Sequence, residues 1–197
     1  MPYEELSPGL TMTCPALLMR NTTDDPKWTS SIYHDHVSWF PGGSYAVERI
    51  FREHCAERYL ASATGAFHDV PNREILFARI STQIPSEWLP GSVDAIATTS
   101  VDGRRIMIKA VNYRAERNTL LVRLQGAGVP ENATVMLHTI TAGLKDSASF
   151  EHQDAIAPVS RSLNYEKDFS VDLEPYTVAV VEIRAVVASA RESSPPL

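Results

Sequence analysis

Val93–Tyr113, VDAIATTSVDGRRIMIKAVNY, is the stretch from which the rest of the chain can be read. Two runs rich in β-forming residues flank Asp102-Gly103. That dipeptide predicts a two-residue hairpin turn of type I′, because glycine takes a positive φ at no steric cost. In the second run Ile106, Ile108 and Ala110 alternate with Met107 and Lys109, which is the period of a strand.

The same texture continues toward the C-terminus. TLLVRLQG sets Leu120, Val122 and Leu124 against Leu121, Arg123 and Gln125. ATVMLHTIT places Val135, Leu137 and Thr139 on one face, and KDFSVDL does the same for Phe169, Val171 and Leu173. After a break at Glu174-Pro175, Val178, Val180 and Glu182 alternate with Ala179, Val181 and Ile183. Short strands separated by turn signals predict an antiparallel β-sandwich, jelly-roll-like, over 66–187. The tail 188–197 is small, polar and proline-ended, and is expected to be disordered.

The N-terminal third reads differently. TMTCPALLM suits a buried strand that starts after Pro15 and ends near Arg20 or Asn21. Residues 31–39 read as irregular, closed by Gly42-Gly43. A helix follows from about Tyr45 to about Ala56, with Ser44 as its cap and Glu48 in its first turn. Val47, Ile50, Phe51 and Cys55 give it one apolar face that must be buried on something.

Composition sets outer limits. The chain has 197 residues, a net charge of −6 and 44% hydrophobic residues, so a soluble globular class is expected. No basic run points to nucleic acid, and no apolar stretch is long enough to span a membrane. The acidic Met1–Leu10 segment lacks the pattern of a signal peptide, so localisation stays open. Cys14 and Cys55 make no disulfide framework; a pair of buried free thiols is favoured over a bridge.

Candidate chemistry is sparse. His34-Asp35-His36 offers metal-ligand types, but its spacing fits no closed site, so solvated loop residues are expected and no metal is assigned. His138, among apolar neighbours, reads as a satisfied, half-buried histidine. Ser44 follows two glycines but lacks the glycine that a nucleophile elbow needs two residues later. Glu4 and Glu5 read as solvated charge. Asn21-Thr22-Thr23 and Asn132-Ala133-Thr134 fit the N-glycosylation pattern. Trp28, Trp39 and Trp88 would stack on sugars if exposed, but a place in the core is favoured for each. No catalytic constellation emerges from these residues.

Two regions together resemble a known family. MTCPALLMRNTTDDPKWTSSIYHDHVSWFPGGSYAVERIFREH is similar to the close of the catalytic barrel in glycoside hydrolase family 51 α-L-arabinofuranosidases. Met12, Ala16-Leu17-Leu18, Asn21, Trp28, Ser44-Tyr45 and Phe51 fall on that family's motif positions. Gly43 and Glu48 depart from them. Leu144–Pro158, with Ser149-Phe150-Glu151, and Pro175-Tyr176-Thr177-Val178 extend the resemblance into that family's C-terminal sandwich.

The resemblance implies that residues 1–65 are a remnant of a (β/α)₈ barrel, its last strand and last helix, followed by the sandwich. The parent reaction it implies is retaining hydrolysis of terminal α-L-arabinofuranosyl units in arabinan or arabinoxylan. The family's two catalytic glutamates belong to earlier barrel strands, so no catalytic residue transfers to this chain, and neither Glu4 nor Glu5 qualifies. Asn21 and Trp28 are the implied substrate-contacting residues. No cofactor is implied. Arabinose-containing plant polysaccharide is the expected partner, acting through the parent enzyme. The apolar face of the barrel remnant, without its missing strands, is expected to invite association. A stand-alone sandwich that binds carbohydrate or a protein is the other reading.

Overall fold

The computed structural model describes residues 18–23, 29–60, 93–126 and 129–186. The expected domain boundary at 65/66, the tail 188–197, Cys14, Glu4, Glu5, Trp28 and Trp88 lie outside them. Among the described residues no helix is long and apolar enough to cross a membrane.

The chain opens with β1 (Met19–Asn21), β2 (Ile32–His34) and β3 (Trp39–Pro41) in one small sheet. β1 pairs parallel with β2, and β2 pairs antiparallel with β3. The irregular reading of 31–39 is thus corrected: a hairpin forms there. Its turn is held by Asp35, whose Oδ1 accepts from the backbone N–H of Val37 at 3.0 Å and of Ser38 at 2.7 Å. Three-residue strands are too short to show a period, which is why the pattern did not reveal them.

Helix α1 spans Gly43–Glu53, and Gly42 rather than Ser44 occupies the cap position. Ser44 lies inside the helix and donates its hydroxyl to Ser31 Oγ at 3.3 Å. Glu48 therefore sits beyond the first turn, which carries no acid. Gly42 is required by close approach. A Cβ there would lie 2.8 Å from the Ser30 carbonyl oxygen and 3.0 Å from the Tyr33 ring.

The larger body is two antiparallel layers. One sheet has the order β4-β5-β6-β11-β8-β9, built from Arg58–Tyr59, Val93–Thr99, Arg105–Asn112, Thr177–Ala185, Ala133–Thr141 and Val159–Leu163. The other pairs β7 (Asn118–Arg123) with β10 (Asp168–Leu173). Val122, Val171 and Leu173 from the small sheet share one core with Ile106, Ile108, Leu137, Val181 and Ile183 from the large one. The expected mainly β, antiparallel sandwich is what forms. The β5–β6 turn differs in type: Gly103 alone has a positive φ, so it is not I′. Ser100 and Asp102 side chains hold a longer loop instead, with hydroxyl to carboxylate at 2.6 Å.

The outer face of the large sheet is covered as well. Ala46 and Ile50 of α1 pack on Met107, Ile140 and Val180. The burial that the helix's apolar face requires is supplied by the sandwich's own central strands, while Leu18 and Met19 of the preceding segment stay exposed. It also explains why β6 and β11 are buried on both faces, with Ile106–Ala110 enclosed throughout. Lys109 is buried there, its Nζ 5.1 Å from the Phe51 ring centre, where a ring face attracts a cation. Cys55, expected on that apolar face, lies past the helix end as an exposed thiol.

Candidate functional site

Because β1 and β2 run parallel, their carboxyl ends finish together, at Asn21 and His34. A bond from Thr22 N–H to the His34 carbonyl, 2.8 Å, carries the pairing past the strand ends. Asn21 Nδ2 meets His36 Nε2 at 2.6 Å, while Asn21 Oδ1 accepts from the backbone and hydroxyl of Thr23 at 3.0 and 2.9 Å. His36 holds this position with a φ of +78°, a conformation that histidine tolerates better than most residues. Its ring meets that of His34 edge-on at 5.7 Å. Trp39, directly across the strand pair from His34, is 55% exposed.

The rim therefore presents an amide, two imidazoles and an exposed indole. The bonds that Asp35 receives from Ser38 and Val37 hold its carboxyl below the usual range, so it stays ionised and fixes the turn. Of His34-Asp35-His36, His34 ends a strand, whereas Asp35 and His36 lie in the loop expected there, with exposed His36 bonding Asn21. Asn132 is exposed at the start of β8, its carbonyl accepting from Val186 N–H at 2.9 Å.

A second polar cluster lies at the C-terminal end of α1. His54, at the helix C-cap, stacks on His138 of β8 with ring centres 4.0 Å apart. Glu182 of β11 lies under both: its Oε2 is 3.6 Å from His54 Nδ1 and 3.8 Å from His138 Nε2. Its Oε1 takes Arg184 Nε at 2.5 Å and Arg105 Nε at 3.3 Å. Burial pushes the Glu182 carboxyl up, but the bond and charge of Arg184, with Arg105 and His54, outweigh it and the net shift is down. Desolvation, reinforced by His138, lowers the His54 imidazole.

His138 was expected to be partly buried and satisfied. It is half so: Nδ1 meets Ser160 Oγ at 2.7 Å, while buried Nε2 has no hydrogen-bond partner among the described residues. Sequence reading missed His54 and Glu182. The available signal was Glu182 itself, a carboxylate inside VAVVEIR, since a charge in a buried strand requires partners.

No family model matches the chain, and no curated protein matches it in sequence. Its fold is similar to that of solved structures. Against the arabinose-bound MgGH51 α-L-arabinofuranosidase the TM-score is 0.65, with 17% identity over 86% of this chain and 23% of that one. Against the α-L-arabinofuranosidase of Thermotoga maritima in its arabinose complex it is 0.63, with 15% identity over 79% and 31%. The thermostable GH51 enzyme of Thermotoga petrophila RKU-1 gives 0.62, with 15% identity over 78% and 31%. The chain thus spans less than a third of the length of these relatives in fold. The resemblance to family 51 α-L-arabinofuranosidases stated from the motifs is met by the fold.

Proposed function

We propose that this chain is the C-terminal portion of an α-L-arabinofuranosidase and contributes the rim Asn21–His36–Trp39 to the parent enzyme's sugar site. The observation that carries this reading is the parallel β1–β2 pair, whose carboxyl ends gather these groups, in a chain whose fold is like that of arabinofuranosidases. Barrel enzymes build their sites at the carboxyl ends of parallel strands, and an exposed indole gives a sugar ring a flat apolar partner. The parent reaction would release terminal α-L-arabinofuranosyl units from arabinan or arabinoxylan with retention. Trp28 is proposed as a further contact.

On its own the chain is inactive in this reading. A retaining glycosidase needs two carboxyl groups about 5 Å apart, one of them raised so that it can donate a proton. Among the described residues, the carboxyl groups with a resolved shift, Asp35, Glu53, Asp102, Glu151 and Glu182, are all lowered. The test has two arms. The purified 197-residue chain should give no hydrolysis of an aryl α-L-arabinofuranoside above the buffer rate. Antibody raised against it should deplete arabinofuranosidase activity, carried by a longer polypeptide, from the source cells. Turnover by the isolated chain defeats the inactivity claim, and undiminished activity after depletion defeats the family reading.

A second reading rests on a separate observation. A cleft of about 740 Å³ lies along β7 and β10, lined by Leu121, Arg123, Asn164, Glu166 and Asp168 among others. A stand-alone sandwich that binds oligosaccharide would use it. Titration with arabinan and xylan oligosaccharides, read on the Leu121→Ala chain as well, separates this from the first reading.

A further inference from the structure

His54, His138 and Glu182 converge from the end of α1, the middle of β8 and the middle of β11. Each offers one ligand atom, and the three atoms lie within 4.8 Å of one another. Ligands about 2.1 Å from a tetrahedral zinc stand about 3.4 Å apart. The separations of 3.6 and 3.8 Å from Glu182 Oε2 to the two imidazoles are close to that, while the two rings, with centres 4.0 Å apart, must turn out of their stack for both lone pairs to meet one ion. The three side chains are well shielded, at 16%, 13% and 4% exposure.

Two further features favour a metal. His138 Nε2, buried and without a hydrogen bond among the described residues, faces Glu182, while Nδ1 is engaged by Ser160. A ring that donates from Nδ1 presents the Nε2 lone pair, the arrangement of a metal-bound histidine with its outer support. Arg105 and Arg184 meanwhile occupy Oε1 of Glu182 and leave Oε2 to the histidines. Their charges weaken attraction for any dication. The nitrogen-rich set then disfavours calcium and magnesium, which need several oxygen ligands, and suits zinc.

We propose that His54, His138 and Glu182 bind one zinc ion, with water completing the tetrahedron, and that the ion clamps the C-terminal end of α1 to the sandwich sheet. Bound zinc would tie an element of the N-terminal segment to two strands of the large sheet, with a water in the fourth position where the usual structural site has a fourth protein ligand.

The test uses the tag-free full chain, stripped with chelator and titrated with zinc chloride against a competing indicator. One zinc per chain and a higher Tm are expected. His54→Gln and Glu182→Gln should each weaken zinc binding at least about 100-fold, and Ser160→Ala about 10-fold, as loss of outer support does. His152→Ala, an exposed histidine elsewhere, should bind as the parent chain does. His54 follows the last residue of α1, so His54→Gln should match the parent's circular dichroism in chelator. Cobalt(II) in the parent chain should give the intense visible absorption of a tetrahedral ion, absent from His54→Gln. The proposal fails if zinc does not bind stoichiometrically. It fails equally if both ligand variants bind as the parent does, which would mark an adventitious ion only.

Discussion

The ring of Phe40 meets the ring of Phe150 edge-on, with centres 4.9 Å apart, and this contact joins the β2–β3 hairpin to the long loop between β8 and β9. On its other side Phe40 stacks against Tyr33 at 5.2 Å. With Ile50 against Met107 and Val180, it makes the N-terminal segment part of the sandwich's packing.

Phe40→Ala should therefore cost about 3 kcal/mol, the usual toll for emptying a buried phenylalanine site. Urea unfolding monitored by tryptophan fluorescence measures it, since Trp39 adjoins the site. A loss below about 1 kcal/mol would mean that the hairpin is not held by this contact.

Gly42 and Gly43 should respond oppositely to alanine. At Gly42 the new Cβ would press on backbone at 2.8 Å, so Gly42→Ala should destabilise by about 1–3 kcal/mol. At Gly43 the nearest atom is Ile156 Cδ1 at 3.5 Å, an ordinary contact. Gly43→Ala should be neutral or stabilising by up to about 1 kcal/mol through helix propensity. Paired thermal melts decide it, and equal effects at both sites would contradict the packing described.

Asn112 is buried at the end of β6 and donates its amide to the carbonyl of Glu174 at 2.8 Å and of Leu173 at 3.2 Å. Its Oδ1 accepts from Arg114 N–H and Asn118 Nδ2. Asn112→Ala strands several of these groups at once, and a buried group without its bond costs about 1–3 kcal/mol. A measured loss near 3 kcal/mol is expected by chemical denaturation. Asn112→Leu should do no better, because the lost bonds, not the volume, set the cost.

The Asp35 carboxyl is lowered by backbone bonds from Ser38 and Val37, so it binds protons less readily in the folded chain than in the unfolded one. Its contribution is present above the ordinary value of 3.8 and is lost as pH falls through the lower folded value. Amide exchange at Val37 and Ser38 should then accelerate selectively in acid below pH 3.8. Asp35→Asn should show fast exchange already at neutral pH. Exchange in the parent chain that tracks the core strands throughout the acid range would argue against the turn's dependence on this carboxylate.

The sandwich was legible because its strands are long enough to display a period of two, and the small-sheet residues Val122, Val171 and Leu173 point inward as their alternation requires. The helix was legible from Val47, Ile50 and Phe51, though its cap was not, since Gly42 is fixed by the nearby Ser30 carbonyl rather than by a side-chain bond. The hairpin at 32–41 escaped notice because three residues carry no measurable period.

Local pattern by itself determined the class of the larger domain, the existence of α1 and which side of each strand is apolar, because those follow from spacing along one element. Tertiary structure alone decided that the helix rests on the outer face of β6, β8 and β11, that Asn21 meets His36, and that His54, His138 and Glu182 converge. Those outcomes depend on which strands become neighbours, and the order β6-β11-β8 brings together residues far apart in the chain. Short-range periodicity carries no record of that order.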